Sequence, residues 1–225
     1  MGLNKSKGNM YEWVTHTWNT VKGECPHDCS YCYMKRWGKL NPVRFDEKEL
    51  KTNLGSGNFI FVGSSCDMWA ESIPWKWIVY TLEHMSKFPN NKYIIQTKNP
   101  SKVHYVACMF GLDKNISICT TIETNRFYGN IMRNSPDPVE RSKYMSLLAK
   151  IGYKTLVTIE PIMKFDLDKL IVLIQNIYPY QVNIGGDSGN NDLPEPSAIE
   201  VKELIHVLNQ TTKVKAKQNL KRILK

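Results

Sequence analysis

This chain of 225 residues lacks any apolar run approaching the roughly 20 residues needed to span a bilayer. Its first residues, MGLNKSKGNMYEW, are basic and lack the apolar stretch of a secretory signal. They carry the short Gly2 and Ser6 pattern read by N-myristoylation machinery, although one acyl chain attaches a protein only marginally to a membrane. The expectation is a cytoplasmic protein with no membrane partner. No linker, low-complexity tract or internal repeat divides the chain, and 42% hydrophobic residues suffice for a packed core, so one domain is expected. A second C-x-x-C pair is missing, which removes the usual four-ligand frame of a structural zinc site. Arginine is scarce: the 30 basic side chains comprise six Arg and 24 Lys, against 21 acids, for a net charge of +9. Arginine dominates bidentate phosphate recognition, so the net charge alone only slightly favours a nucleic-acid partner.

What is present is a regular alternation of short apolar runs and longer helical patterns. WVTHTW (13–18), FIFVG (59–63), YIIQT (93–97), ISICTTI (116–122), TLVTIE (155–160) and QVNIGG (181–186) have the β-branched and aromatic content of buried parallel strands. Helical patterns lie between them, in DEKELKTNL, WKWIVYTLEHMSKF, DPVERSKYMSLLAKIG, LDKLIVLIQNI and PSAIEVKELIHVLN. The third opens on Asp and Pro and closes on Gly152, as helices often do. Six βα units predict an α/β fold, a parallel sheet with helices outside. In barrels and half-barrels of this kind, chemistry collects at the C-terminal ends of the strands. Here those ends are unusually polar: KGECPHDCSYCY, GSSCDMW, TKNPS, TIETNR, EPIM and GGDSGN. The last segment, KVKAKQNLKRILK (213–225), carries Lys213, Lys215, Lys217, Lys221, Arg222 and Lys225 and no acid. Leu220, Ile223 and Leu224 recur at helical spacing, so this tail is expected to dock as a helix and turn a positive edge to substrate or nucleic acid.

The first strand end puts Cys25, Cys29 and Cys32 within eight positions. In a reducing compartment a tight cysteine group binds metal more readily than it forms disulfides. Three thiolates leave zinc one ligand short, and His27, inside the loop, cannot easily turn to the same metal. A 4Fe–4S cluster fits better: three irons take the three cysteines and the fourth stays open to a substrate or cofactor. Cys66, Cys108 and Cys119 are far apart, and buried inert thiols are the default reading for each.

The C-x3-C-x2-C spacing, with Tyr31 just before the last cysteine, resembles the signature of radical S-adenosylmethionine (SAM) enzymes. THTWNTVKGECPHDCSYCYMKR, FVGSSCDMW, QTKNP, TIETNR, TIEPIM and NIGGDSG, in that order, resemble a compact branch of these enzymes often carried by phages and similar in layout to spore photoproduct lyase. The resemblance runs from about residue 13 to residue 189, leaving 190–225 as a C-terminal helix and basic tail. It implies a partial (β/α)6 barrel and a 4Fe–4S cluster on Cys25, Cys29 and Cys32. It further implies SAM bound at the open iron, reductive cleavage to a 5′-deoxyadenosyl radical, and an electron donor such as flavodoxin or ferredoxin.

The same resemblance assigns roles at the other strand ends. Ser64 and Ser65, with Asp67 supplying negative charge, stand where the family contacts the SAM ammonium; an N-cap explains Ser65 and Asp67 equally well. Thr121, Glu123 and Asn125 alternate and would share an inward face if the strand continues, offering the ribose a carboxylate. Arg141 resembles the arginine that meets the SAM carboxylate, with Arg126 as its competitor and a surface ion pair as the alternative for either. Glu160, before Pro161, is expected on the adenine side of SAM or on the substrate. Gly185 and Gly186 would let a ligand approach the backbone, unless the segment is only a tight turn. Spore photoproduct lyase returns hydrogen from a cysteine near the second strand end. Aligned on the following Asp, that position is Ser64 here, which leaves Cys66, two residues on, as a displaced candidate donor. The substrate expected is a nucleic acid or nucleotide. A small molecule or peptide is the alternative, and a non-catalytic zinc or nucleic-acid binding module is the reading from another class.

Overall fold

Runs of β-branched and aromatic residues become strands wherever the computed structural model, which describes residues 3–6 and 11–225, buries them on both faces. Gly2, on which the myristoylation reading rests, lies outside the described residues. The strands are β1 (Asn4–Lys5), β2 (His16–Trp18), β3 (Val21–Lys22), β4 (Arg44–Phe45), β5 (Phe59–Val62), β6 (Lys92–Thr97), β7 (Ile116–Thr121), β8 (Thr155–Ile159), β9 (Gln181–Ile184) and β10 (Lys213–Ala216). The main sheet runs β1-β2-β5-β6-β7-β8-β9-β10, parallel throughout except for β1 against β2. Strictly sequential order is the winding of a β/α barrel, not of a doubly wound sheet, and here the barrel stays open. β3 and β4 form a separate antiparallel pair inside the first crossover.

The helices are α1 (Trp75–Ser86), α2 (Pro100–Met109), α3 (Gly129–Met132), α4 (Pro138–Lys150), α5 (Leu167–Gln175) and α6 (Ala198–Leu208). Local chemistry explains two of the starts. Asp137 accepts from Val139 N with Pro138 at the first helical position, and Ser197 with Glu200 forms a reciprocal capping box on α6. All six expected strands are present. A seventh parallel strand, β10, occupies the segment expected as a helix: in Lys213-Val214-Lys215-Ala216 the alternation of period two prevails, and only Gln218–Arg222 coils, as a 3-10 turn. Its apolar side docks as expected, with Leu220 fully buried and Ile223 and Leu224 packed on the core. DEKELKTNL yields only a 3-10 turn at Glu47–Lys51, and α2 is a helix that the sequence reading omits.

The pleat gives the sheet two different faces. Ile60, Val62, Ile95, Ile118 and Val157 join the main core with Ile78, Val103, Leu148, Leu170 and Leu204 of the helices. Phe61, Ile94, Cys119 and Leu156 look the other way and pack beneath Tyr11 and Val14. Further along this inner face come Gln96, Thr121, Thr158 and Asn183, and the same parity continues past the strand ends to Lys98, Glu123, Glu160, Gly185 and Lys217. Apolar side chains fill the base of the half-barrel, and polar ones line its C-terminal end. Among the described residues no helix is long and apolar enough to cross a membrane.

Candidate metal and cofactor site at the strand ends

Consecutive tight turns wind the cysteine loop after β2. Cys25 O accepts from Asp28 N (3.0 Å), Cys29 O from Cys32 N (3.2 Å) and Cys32 O from Lys35 N (2.9 Å). Asp28 takes φ 51°, a left-handed conformation that Asp tolerates, and its carboxylate binds Lys35 and Arg133. All three cysteines are free thiols, as are Cys66, Cys108 and Cys119. Cys29 is buried, its sulfur 3.7 Å from Met132 O and 4.0 Å from Ser135 Oγ. Cys66 is buried beside Cys25. Its hydrogen bond to Cys25 lowers the Cys25 thiol to about 6 and drives its own thiol sharply upward. Among the described residues no three His, Cys, Asp or Glu side chains converge on a single point as ligands of one metal ion, so the three thiols are not arranged as the ligands of a lone zinc.

Two acids, Asp67 and the fully buried Glu123, fasten this loop to the sheet. His27 Nε2 donates to Asp67 Oδ2 at 2.8 Å. Asp67 also accepts from Thr97 Oγ1 (2.9 Å), Lys98 N (2.9 Å) and Trp69 N (3.0 Å), so its carboxylate ties the ends of β5 and β6 to the loop. Burial works to raise the Asp67 carboxyl, but the bond and charge of His27 together with the backbone N–H groups of Lys98 and Trp69 hold it below the usual range. Burial likewise works to lower His27, and Asp67 prevails and raises it.

The second fastening is at Glu123, 0% exposed, which accepts from the Tyr31 hydroxyl between Cys29 and Cys32. Its other oxygen meets Arg141 Nη1 at 2.7 Å, and Lys98 Nζ lies 3.2 Å away and over the Tyr31 ring. Burial raises the Glu123 carboxyl, yet Arg141 and Lys98 together bring it down to about 2. Arg141, also 0% exposed, donates further to Pro136 O (2.7 Å), Thr121 O (3.0 Å) and Ser135 Oγ (3.1 Å). For Glu123 or Arg141 to meet SAM, one of these internal partners must be exchanged for the cofactor. The expected alternation of Thr121, Glu123 and Asn125 stops at Thr124, whose hydroxyl accepts from Arg126 N in a tight turn. Asn125 and Arg126 accordingly turn to Asp166. Thr121 stays inside, accepting from Gln96 Nε2 at 3.1 Å.

Ser64 and Ser65 flank the loop where β5 ends. Ser64 Oγ and Ser65 N both donate to Asn19 Oδ1, and Ser64 O accepts from the Tyr33 hydroxyl. Across the end of the sheet Glu160, joined to Pro161 by a cis peptide, pairs with Lys217 and accepts from Asn219 Nδ2 at 2.7 Å. Asn219 Nδ2 also donates to Gly186 O (2.8 Å), which fixes which way its amide points. A Cβ on Gly185 would lie 2.7 Å from Glu160 Oε1 and 2.9 Å from Asn219 Oδ1, so the groups that close on this glycine are the strand-end carboxylate and Asn219 of the chain's own tail. Asn219 Oδ1 and Asn183 Nδ2 are left buried without a hydrogen-bond partner, an open acceptor and an open donor. Lys98, His27 and Asn219 were not foreseen as site residues, and Lys217 was expected on a positive edge facing substrate but instead pairs with Glu160. Lys98 alone had a usable signal, its place directly after a strand.

The fold and the site invite comparison with known proteins. A variant of spore photoproduct lyase superposes with a TM-score of 0.66 at 11% identity, over 95% of this chain and 78% of that one. A variant with bound AdoMet and dinucleoside spore photoproduct gives 0.63 at 12%, over 93% of this chain and 64% of that one. SuiB from Streptococcus suis, bound to its precursor peptide SuiA, gives 0.57 at 10%, over 89% and 48%. The chain therefore spans less than two thirds of the lyase complex and about half of SuiB. At such identities the likeness establishes the fold, a single α/β domain resembling the radical SAM partial barrel. No curated protein matches the chain. Residues 9–199 match the family described as a protein of unknown function, DUF5131, and the chain belongs to that family.

Proposed function

We propose that this protein is a radical SAM enzyme acting on a nucleic acid or nucleotide, with an external electron donor such as flavodoxin or ferredoxin. One observation carries the reading: three reduced thiols on a single loop, at the C-terminal end of the first parallel strand of an open β/α barrel. Cys25, Cys29 and Cys32 would hold a 4Fe–4S cluster, each on a different iron. When bound, cluster and SAM would supply an electron, a cleaved C5′–S bond and a 5′-deoxyadenosyl radical that abstracts hydrogen.

The donor set fits these groups. Three thiolates without a fourth protein ligand would leave one iron of such a cluster open to SAM. The buried orphans Asn219 Oδ1 and Asn183 Nδ2 offer a zwitterionic, hydroxyl-rich or amide-bearing ligand an acceptor and a donor on the inner face. Tyr31 and His27, clamped by Glu123 and Asp67, orient the loop. Ser64 and Ser65 border it and are assigned to the methionyl end of SAM, while Glu160 with Lys217 and Asn219 is assigned to the adenosyl or substrate side. Cys66 touches Cys25 and is the nearest additional thiol, which keeps it a candidate hydrogen donor.

The test is anaerobic reconstitution with iron and sulfide. Wild type should bind about four of each per chain, and Ala at Cys25, Cys29 or Cys32 should abolish this. Stoichiometric zinc in place of iron would defeat the reading.

A further inference from the structure

Directly after Cys32 the chain enters a 3-10 turn, Tyr33–Trp37, and runs on to Arg44. This stretch, YMKRWGKLNPVR, contains Lys35, Arg36, Lys39 and Arg44 and no acid. Trp37 is 70% exposed and Tyr33 42%. The Arg36 guanidinium lies 5.5 Å from both ring centroids, so the two rings are held beside one cation. The Tyr33 hydroxyl donates to Ser64 O at 2.7 Å, which pins the turn to the end of β5 beside the cysteine loop. Lys35 is engaged by Asp28, whereas Arg36, Lys39 and Arg44 form no ion pair among the described residues.

The basic tail is the weaker candidate for the same task. Lys215 pairs with Glu12, Lys217 with Glu160 and Arg222 with Glu195, so half of its six charges are neutralised internally. It also presents no large exposed ring, the exposed large apolar residues lying elsewhere. Unneutralised cations beside open aromatic rings are the combination that holds single-stranded nucleic acid: phosphates meet the cations and unstacked bases lie on the rings. A duplex keeps its bases stacked on one another and cannot use an exposed indole in this way.

We propose that Tyr33–Arg44 is a docking surface for single-stranded nucleic acid, with a base stacked on Trp37 and phosphates on Arg36, Lys39 and Arg44. It deepens the proposed function and rests on that reading for its purpose, which is to deliver an unpaired nucleotide to the strand ends.

The test is fluorescence anisotropy on the full chain, reconstituted anaerobically, with labelled single-stranded DNA and RNA of about 12 nucleotides. Matching duplexes and an acidic peptide are the competitors, each across a salt series. Trp37→Ala should weaken single-strand binding about 10-fold with an unchanged salt slope, and Trp37→Phe should restore most of it. Gln at Arg36, Arg44 and Lys39 together should flatten the log–log salt slope by about two. Gln at Lys213 and Lys221 should change neither. Wild-type affinity in Trp37→Ala, or a preference for duplex or acidic peptide, would overturn the proposal. Iron content and 5′-deoxyadenosine formation without substrate are read on the same samples. A chain that binds single strands but never a cluster defeats the enzyme reading alone; one that cleaves SAM but ignores single strands defeats this one alone.

Discussion

Replacing Glu123 by Gln removes one negative charge from a site enclosed on every side. Glu123 and Arg141 are both 0% exposed, with 2.7 Å between Oε2 and Nη1, and Lys98 adds a second cation at 3.2 Å. Removing one partner of a buried pair leaves an uncompensated charge, at a cost of about 3–5 kcal/mol. The protonation equilibrium gives an independent figure. The carboxyl falls from 4.5 to about 2, and each unit corresponds to ~1.4 kcal/mol, so the charge contributes about 3 kcal/mol at neutral pH. Since the folded value is the lower one, this stability is complete above pH 4.5 and is lost as pH falls toward 2. For a chain of this length, about 3 kcal/mol shifts Tm by roughly 10 °C. Thermal and urea unfolding of the metal-free chain at pH 7 measure the effect. The same variant leaves one amide oxygen in place of two carboxylate oxygens for Tyr31, Lys98 and Arg141, which loosens the hold on Tyr31, so Cys29 and Cys32 should alkylate several-fold faster than in wild type. A Glu123→Gln protein within ~1 kcal/mol of wild type, with unchanged alkylation, would refute the claim that this carboxylate holds the cysteine loop.

Gly185→Ala should push Glu160 away from Asn219, because a Cβ would sit under 3.0 Å from both side chains. Overpacking of this kind costs about 1–3 kcal/mol, and SAM affinity measured by calorimetry should fall with it while iron content does not. Cys119→Ser and Cys108→Ala should keep wild-type iron and sulfide, because one sulfur lies under Tyr11 inside the half-barrel and the other is exposed on α2. Ser197→Ala removes both the hydroxyl that caps α6 and its bond to Glu200, and should lower unfolding free energy by about 1 kcal/mol without altering SAM cleavage.

The strands were legible because buried parallel strands carry dense β-branched runs, and each of the six came with a polar end. Helix α2 was not. Val103 and Val106 face the core, but exposed Tyr105 and Met109 spread apolar residues around the helix and blur its period. Strand β10 was hidden by its lysines. Lys215 and Lys217 look like solvated charge, yet they face the inner side and pair with Glu12 and Glu160. At the site, a spacing of a few residues made the cysteine triad readable, and strand-end position marked Glu123 and Glu160. That Glu123 and Arg141 are each other's partners was beyond reach, because their pairing depends on how the loop through α3 folds back beneath the cysteines. Asp67 was read as a charge for SAM or a cap. Its four donors come from three separate segments; only Trp69 N, two residues on, is the local contact a cap implies, and no local pattern announces the other three.

The most direct test of the central claim is to quantify 5′-deoxyadenosine after the reconstituted chain is mixed anaerobically with SAM and dithionite. The account predicts time-dependent 5′-deoxyadenosine and methionine from wild type, and none above background when Cys25, Cys29 or Cys32 is replaced by Ala. Wild type that holds its cluster yet forms no 5′-deoxyadenosine, or a Cys29→Ala chain that forms it at the wild-type rate, would contradict the account.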